Sequence, residues 1–122
     1  MLNLLVIFLG GGLGSLCRYG ISKMTSSIFS NAFPLGTFIS NMMSCIILAM
    51  VVIYFNGKIS GNIMVKLFLI TGFCGGFSTF STFSFETFEL MKSGHIAIAI
   101  FNISLSVAVG VSLIYFLLKN QV

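Results

Sequence analysis

Charge is what this sequence has least of. Asp, Glu, Lys and Arg make up 7% of the 122 residues, hydrophobic residues 57%, and the mean hydropathy is +1.13. A soluble domain carries about 25% charged residues, so a soluble fold is excluded. Aspartate is absent, and Glu86 and Glu89 are the only acids. A cation pathway would more often show rings of carboxylate, and a proton-coupled exchanger needs a deeply buried acid. His95 is the only histidine, which leaves no His–Ser–Asp set and no metal-spaced cluster, and no phosphate-binding loop motif is present. Tryptophan is missing altogether. The three cysteines, Cys17, Cys45 and Cys74, form neither a metal spacing nor a disulfide framework and read as small residues in helix packing. The net charge of +4 is too sparse, and lacks the stripe, for nucleic acid.

What remains is apolar and long. A helix that crosses a bilayer needs about 20 mostly apolar residues, and four such runs with short loops account for the whole chain as a single transmembrane domain. The spans are expected at about 2–24, 34–55, 63–92 and 96–118. The N-terminus has no basic region and no small-residue cleavage site of the kind that marks a signal peptide, so it reads as the first span. With four spans, Lys58, Lys66 and Lys119 fall on one side of the membrane and Arg18, Lys23 and Lys92 on the other. Orientation normally follows an excess of Lys and Arg on the cytoplasmic side, and here there is none. Such a chain is expected to insert both ways, so that oppositely oriented copies pair about an axis in the membrane plane; the alternative is a single orientation set by features the count misses.

In the first span, Gly10, Gly14 and Arg18 share one face, and Gly10-x-x-x-Gly14 permits close helix approach. Arg18 lies about 24 Å along the helix from Leu2 at 1.5 Å per residue. That places it near the interface, as a snorkelling anchor or as a positive group gathering anions at a vestibule. Residues 25–33 read as a loop. Pro34 suits the first turn of the second helix. On that helix Thr37 and Asn41 share one face and Ser40 and Ser44 another, with Asn41 roughly 10 Å inside the start, deep enough to need a partner helix or to line a polar path. Asn56-Gly57-Lys58 reads as a turn. In the last span Asn102, Ser106 and Gly110 give a second polar or small face. The lone His95 follows Ser93-Gly94 in a loop and reads as solvated.

The third span carries the anomaly. Gly72-Phe73-Cys74-Gly75-Gly76-Phe77-Ser78-Thr79-Phe80-Ser81-Thr82-Phe83-Ser84-Phe85 places glycines and then alternating hydroxyls and phenylalanines in the middle of an apolar run. Irregular backbone at membrane depth is tolerated only where protein buries it or a polar cavity receives it. The stretch therefore predicts a helix broken at about 75–79 that resumes to Lys92. On the resumed half Thr79, Thr82 and Glu86 form a polar stripe, and Phe80 and Phe83 stack on another face. Glu86 falls roughly 12 Å and Glu89 roughly 16 Å beyond the break, which makes them interfacial carboxylates. The polar groups within the spans are thus neutral donors beside aromatic ring edges, which carry partial positive charge. Such a set suits a small anion that must be dehydrated cheaply and still released. The carbonyls of the break have the opposite need, which a small cation held where two antiparallel copies cross would satisfy.

Residues 75–83, Gly-Gly-Phe-Ser-Thr-Phe-Ser-Thr-Phe, closely resemble the signature of the Fluc/CrcB fluoride channels, as do Gly14-x-x-x-Arg18-Tyr19 and Pro34-Leu35-Gly36-Thr37-x-x-x-Asn41. The resemblance extends along the whole chain. It implies an all-α integral membrane protein of four transmembrane helices, the third broken near its middle. It also implies an antiparallel dual-topology homodimer in the lipid bilayer of a bacterial cell membrane, with two pores and a structural Na+ at the dimer interface. By motif position, Phe80 and Phe83 are implied to meet fluoride with their ring edges, with Asn41 as pore amide and Thr37, Thr82, Ser106 and Asn102 along the pore. Arg18 is implied at the vestibule, and the carbonyls of Gly75 and Ser78 as Na+ ligands. The chain departs from the pattern at Asn102, where relatives often carry tyrosine, and at Gly110, where they carry a hydroxyl. The implied function is passive export of cytoplasmic fluoride down its electrochemical gradient, with no enzymatic activity. Two other readings stay open: a small dual-topology multidrug exporter, which depends on an acid in the first helix that this chain lacks, and a non-transporting membrane assembly subunit.

Overall fold

The computed structural model describes residues 1–56 and 61–121; Lys58, and with it the turn expected at 56–58, lies outside the described residues. The elements run α1 (Leu2–Ile28), α2 (Leu35–Phe55), α3 (Ile63–Lys66), a π-helical stretch (Leu67–Cys74), α4 (Gly75–Phe77), α5 (Phe80–Lys92) and α6 (Ile96–Leu118). No strand occurs among the described residues. By length and hydropathy four helical units can cross a membrane, the third being the composite Ile63–Lys92.

α1 continues one turn past Met24, where the sequence suggests a loop. Thr25, Ser26 and Ser27 remain helical because their hydroxyls donate back to the carbonyls of Ile21 and Ser22, of Lys23, and of Met24, carrying their own partners into the helix. At about 40 Å, α1 exceeds the roughly 30 Å hydrocarbon core. Pro34 caps α2 from outside, with φ −76° and ψ 70°. α5 closes in a Schellman turn: His95 N–H donates to the Leu90 carbonyl and Gly94 N–H to that of Met91. Gly94 takes φ +86°, where a side chain would be strained.

Packing runs opposite to that of a soluble protein. The interior holds Gly10, Gly14, Gly36, Ser40, Ser44, Ala49, Gly72, Ala99, Asn102 and Gly110, while Leu4, Phe8, Leu16, Ile100 and Phe101 are exposed. With lipid outside, burying Leu gains nothing, and helices associate through small residues and interhelical hydrogen bonds. α1 packs most extensively on the π-helical stretch and α4, and α2 packs on α6.

The tightest seam joins α1 to the third span. A Cβ on Gly10 would stand 2.4 Å from the Phe68 carbonyl oxygen, one on Gly14 2.2 Å from that of Phe73, and one on Gly76 2.3 Å from that of Gly11. Backbone meets backbone there, so no rotamer change can make room. Phe77, 2% exposed, is the largest fully buried side chain and lies at the end of this seam.

Gly14→Ala is therefore expected to destabilise the fold by about 1–3 kcal/mol, while Gly12→Ala, whose Cβ would meet nothing within 4 Å, is expected to be neutral. Thermal unfolding in detergent compares them; equal Tm values would contradict the seam.

Candidate functional site

Helical backbone stops at Phe77 and resumes at Phe80. Ser78 (φ −79°, ψ 156°) and Thr79 (φ −154°, ψ 119°) are extended. Two extended residues inside a span release backbone groups that must find partners, and most of the surrounding side-chain chemistry answers that need.

Asn41 on α2 brackets Thr79: its Oδ1 accepts the Thr79 N–H at 2.8 Å and its Nδ2 donates to the Thr79 carbonyl at 3.4 Å. The Thr79 hydroxyl caps α5 by accepting the Thr82 N–H at 3.2 Å, and it donates to the Thr82 hydroxyl at 3.1 Å. The Cys74 carbonyl accepts the Ser78 N–H, the Ser78 hydroxyl and the Ser44 hydroxyl at 2.9, 2.8 and 3.2 Å. On the opposite side α1 covers the Gly76 carbonyl with Arg18 Nε at 3.1 Å and the Ser15 hydroxyl at 3.5 Å. Arg18 is thus engaged with the middle of the third span rather than standing free at a helix end, because α1 runs on to Ile28 and its glycine face brings Arg18 alongside Gly76.

Beside the interruption lies a groove of about 380 Å³ that brings Asn41, Phe80, Phe83 and Ser106 together with Ser78 and Gly110. The Phe80 and Phe83 ring centroids are 5.9 Å apart with planes inclined at 38°. Phe80 is 80% exposed, so one wall of the groove is incomplete within a single chain. α5 begins at Phe80, and its positive end therefore abuts the groove.

The other residues singled out by the sequence lie elsewhere. Thr37 and Glu86 line a separate cavity of about 160 Å³ with Ser22, Thr25 and Pro34. The buried Glu86 Oε2 has no hydrogen-bond partner. Asn102, 1% exposed, lies behind the groove: its Nδ2 donates to the Thr87 hydroxyl at 3.0 Å, Thr87 donates to the Phe83 carbonyl at 2.7 Å, and Ser106 donates to Asn102 Oδ1 at 3.4 Å. Gly75 faces outward. Thr87 and Ser15 were not legible as site residues, since single hydroxyls on a helix carry no periodic signal and only the fold supplies their partners; Ser44, read as sharing a face with Ser40, gains its partner at Cys74 from the fold.

The match to known proteins covers nearly the whole chain. Residues 5–117 fit the family model described as CrcB-like protein, Camphor Resistance (CrcB). This chain belongs to the CrcB family. CrcB relatives named fluoride-specific ion channel FluC include one from Coxiella burnetii, 40% identical over 112 residues (91% of this chain, 90% of the relative). Another, from Pyrococcus abyssi, is 41% identical over 113 residues (91% and 89%), and one from Flavobacterium psychrophilum is 40% identical over 110 residues (90% and 89%). CrcB membership and the four membrane-length helices make this a multi-pass protein of the cell membrane.

The Asn102–Thr87 bond ties α6 to α5 behind the groove. A double-mutant cycle with Asn102→Ala and Thr87→Val, read by thermal unfolding, is expected to give a coupling of about 0.6–1.7 kcal/mol; additive losses would show that the two side chains do not act together.

Proposed function

We propose that this protein is a fluoride-selective ion channel that exports cytoplasmic fluoride passively. The observation that carries the reading is the likeness to fluoride-specific channels over about nine-tenths of the chain. The groove supplies fitting chemistry. Fluoride is small and strongly hydrated, so a pore must replace its water with donors that do not hold it too tightly. Asn41 has one amide hydrogen left after serving Thr79, and the edges of Phe80 and Phe83 offer weak positive charge; the Ser106 hydroxyl lines the groove while donating its hydrogen to Asn102. Thr82 bonds to Thr79 beside the groove, Thr37 lines the separate cavity with Glu86, and Asn102 supports the groove from behind, with Arg18 holding positive charge near mid-span. Hydrogen fluoride crosses a bilayer neutral and ionises in the less acidic cytoplasm; a negative-inside potential then drives the anion out through the pore, with no energy source and no enzymatic step.

The working unit in this reading is an antiparallel homodimer of oppositely inserted copies. The flanking lysines support it, being nearly balanced between the two sides, as does the exposure of Phe80 and Gly75, which leaves the groove's outer wall for a second copy. The third span acts as a broken helix, and the carbonyls of Gly75 and Ser78 are the ones that would hold a structural Na+. In a continuous helix Gly75 would accept from Thr79 N–H and Ser78 from Thr82 N–H, but both donors are engaged by side-chain oxygens instead. The freed carbonyls are hard oxygen ligands, which suit a small alkali cation; when bound it supplies positive charge that ties the two chains together.

Fluoride efflux from liposomes, with a potassium ionophore clamping the voltage and chloride followed in parallel, tests this. Rapid fluoride release with little chloride is expected, and Phe80→Ile should slow it by about tenfold or more. Release no faster than from empty liposomes, from folded protein, would overturn the channel reading.

A further inference from the structure

We infer that Thr79 and Asn41 are positioning residues for the cation site, each supplying a side-chain oxygen that takes over the work of one carbonyl. The inference rests on the Na+ reading above and adds how this chain makes that site. An α-helical carbonyl is free for a ligand only if the N–H four residues on is satisfied by something else. Breakage of the helix at Ser78–Thr79 strands four donors, Thr79 to Thr82, along with four acceptors, Gly75 to Ser78, and stranded backbone groups at membrane depth are costly. Two of these donors are taken up by side-chain oxygens. Asn41 Oδ1 stands in for the Gly75 carbonyl towards Thr79 N–H at 2.8 Å, and Thr79 Oγ1 stands in for the Ser78 carbonyl towards Thr82 N–H at 3.2 Å. Gly75 and Ser78 are thus among the displaced acceptors, while Gly76 is covered by Arg18 and Ser15, and the adjoining Cys74 and Thr79 carbonyls by Ser44 and Ser78 and by the Asn41 amide.

A second observation points outward from the same spot. Gly75 has φ −62°, an ordinary helical value, and a Cβ built on it would meet nothing within 4 Å in this chain. Gly10, Gly14, Gly72 and Gly76 are all pressed against backbone, but nothing inside the chain requires glycine at position 75. The space its missing side chain leaves lies beside the freed carbonyl, on the exposed side, where a ligand and a second copy would approach. Thr79 thus does two jobs with one hydroxyl: it caps α5 and it frees Ser78. The Thr79 methyl contributes to neither.

The test titrates Na+ against N-methylglucamine at constant ionic strength on the purified, detergent-solubilised protein, reading Tm and oligomer mass rather than transport. Tm of the wild type is expected to rise with Na+ to a plateau. Thr79→Val, isosteric but without an acceptor, is expected to shift the half-effective Na+ concentration upward by about tenfold, and Thr79→Ser, which keeps the oxygen, to restore it. Asn41→Ala should shift it in the same direction, and it decides the matter if Thr79→Val does not fold. Identical Na+ midpoints in Thr79→Val, or in Asn41→Ala, and the wild type would overturn the positioning role while leaving the cation site intact. A wild-type Tm indifferent to Na+ would overturn the cation site and the inference with it.

Discussion

Backbone polar groups inside a bilayer must have partners, and the third span is arranged around that requirement. Two extended residues, Ser78 and Thr79, disturb the helical ladder at its middle. Their consequences reach two other spans, and a further bond ties in the last. α2 sends Asn41 and Ser44 to the interruption, and α1 sends Arg18 and Ser15. α6 sends Asn102 to Thr87, which in turn holds the Phe83 carbonyl. In water these groups would be solvated and the bonds would contribute little. In hydrocarbon the alternative to each bond is an unmet donor or acceptor.

Such reach requires the helices to come unusually close. α1 and the third span touch backbone to backbone through Gly10 and Gly14 on one side and Gly72 and Gly76 on the other. Only at that distance can the Arg18 guanidinium meet the Gly76 carbonyl at 3.1 Å. The π-helical stretch Leu67–Cys74 lies within the same seam, in keeping with the frequent association of such widened turns with functional sites. Phe80 and Phe83 stand at the head of a capped helix, and Asn41 is clamped to Thr79, so the groove they line is preorganised.

Much of the fold was legible in the sequence because bilayer thickness imposes a length and a hydropathy that composition alone reveals. The four spans and the Gly10–Gly14–Arg18 face follow from spacing and bilayer thickness; the irregular backbone expected at about 75–79 is confined to Ser78 and Thr79, because Gly75–Phe77 stay helical. The end of α1 did not follow, because Thr25, Ser26 and Ser27 are loop-formers in water and become helical by bonding back to their own turn. The partner of the Gly10–Gly14 face was also hidden: Gly72 and Gly76 read as part of the irregular stretch of the third span until the fold placed them against α1.

The sequence by itself determined that this is a four-span membrane protein with neutral donors and phenylalanines on its third span, because length, apolar content and motif are local properties of the chain. Only the tertiary structure decided which side chain meets which backbone group. Asn41 serves Thr79, Arg18 serves Gly76, and Asn102 lies behind the groove rather than in it. The physical reason is that a hydrogen bond at 2.8–3.1 Å between residues 38 or 58 positions apart depends on how closely and at what rotation two helices pack. For Arg18 the glycine seam between α1 and the third span sets the approach, and for Asn41 the packing of α2 on the third span does.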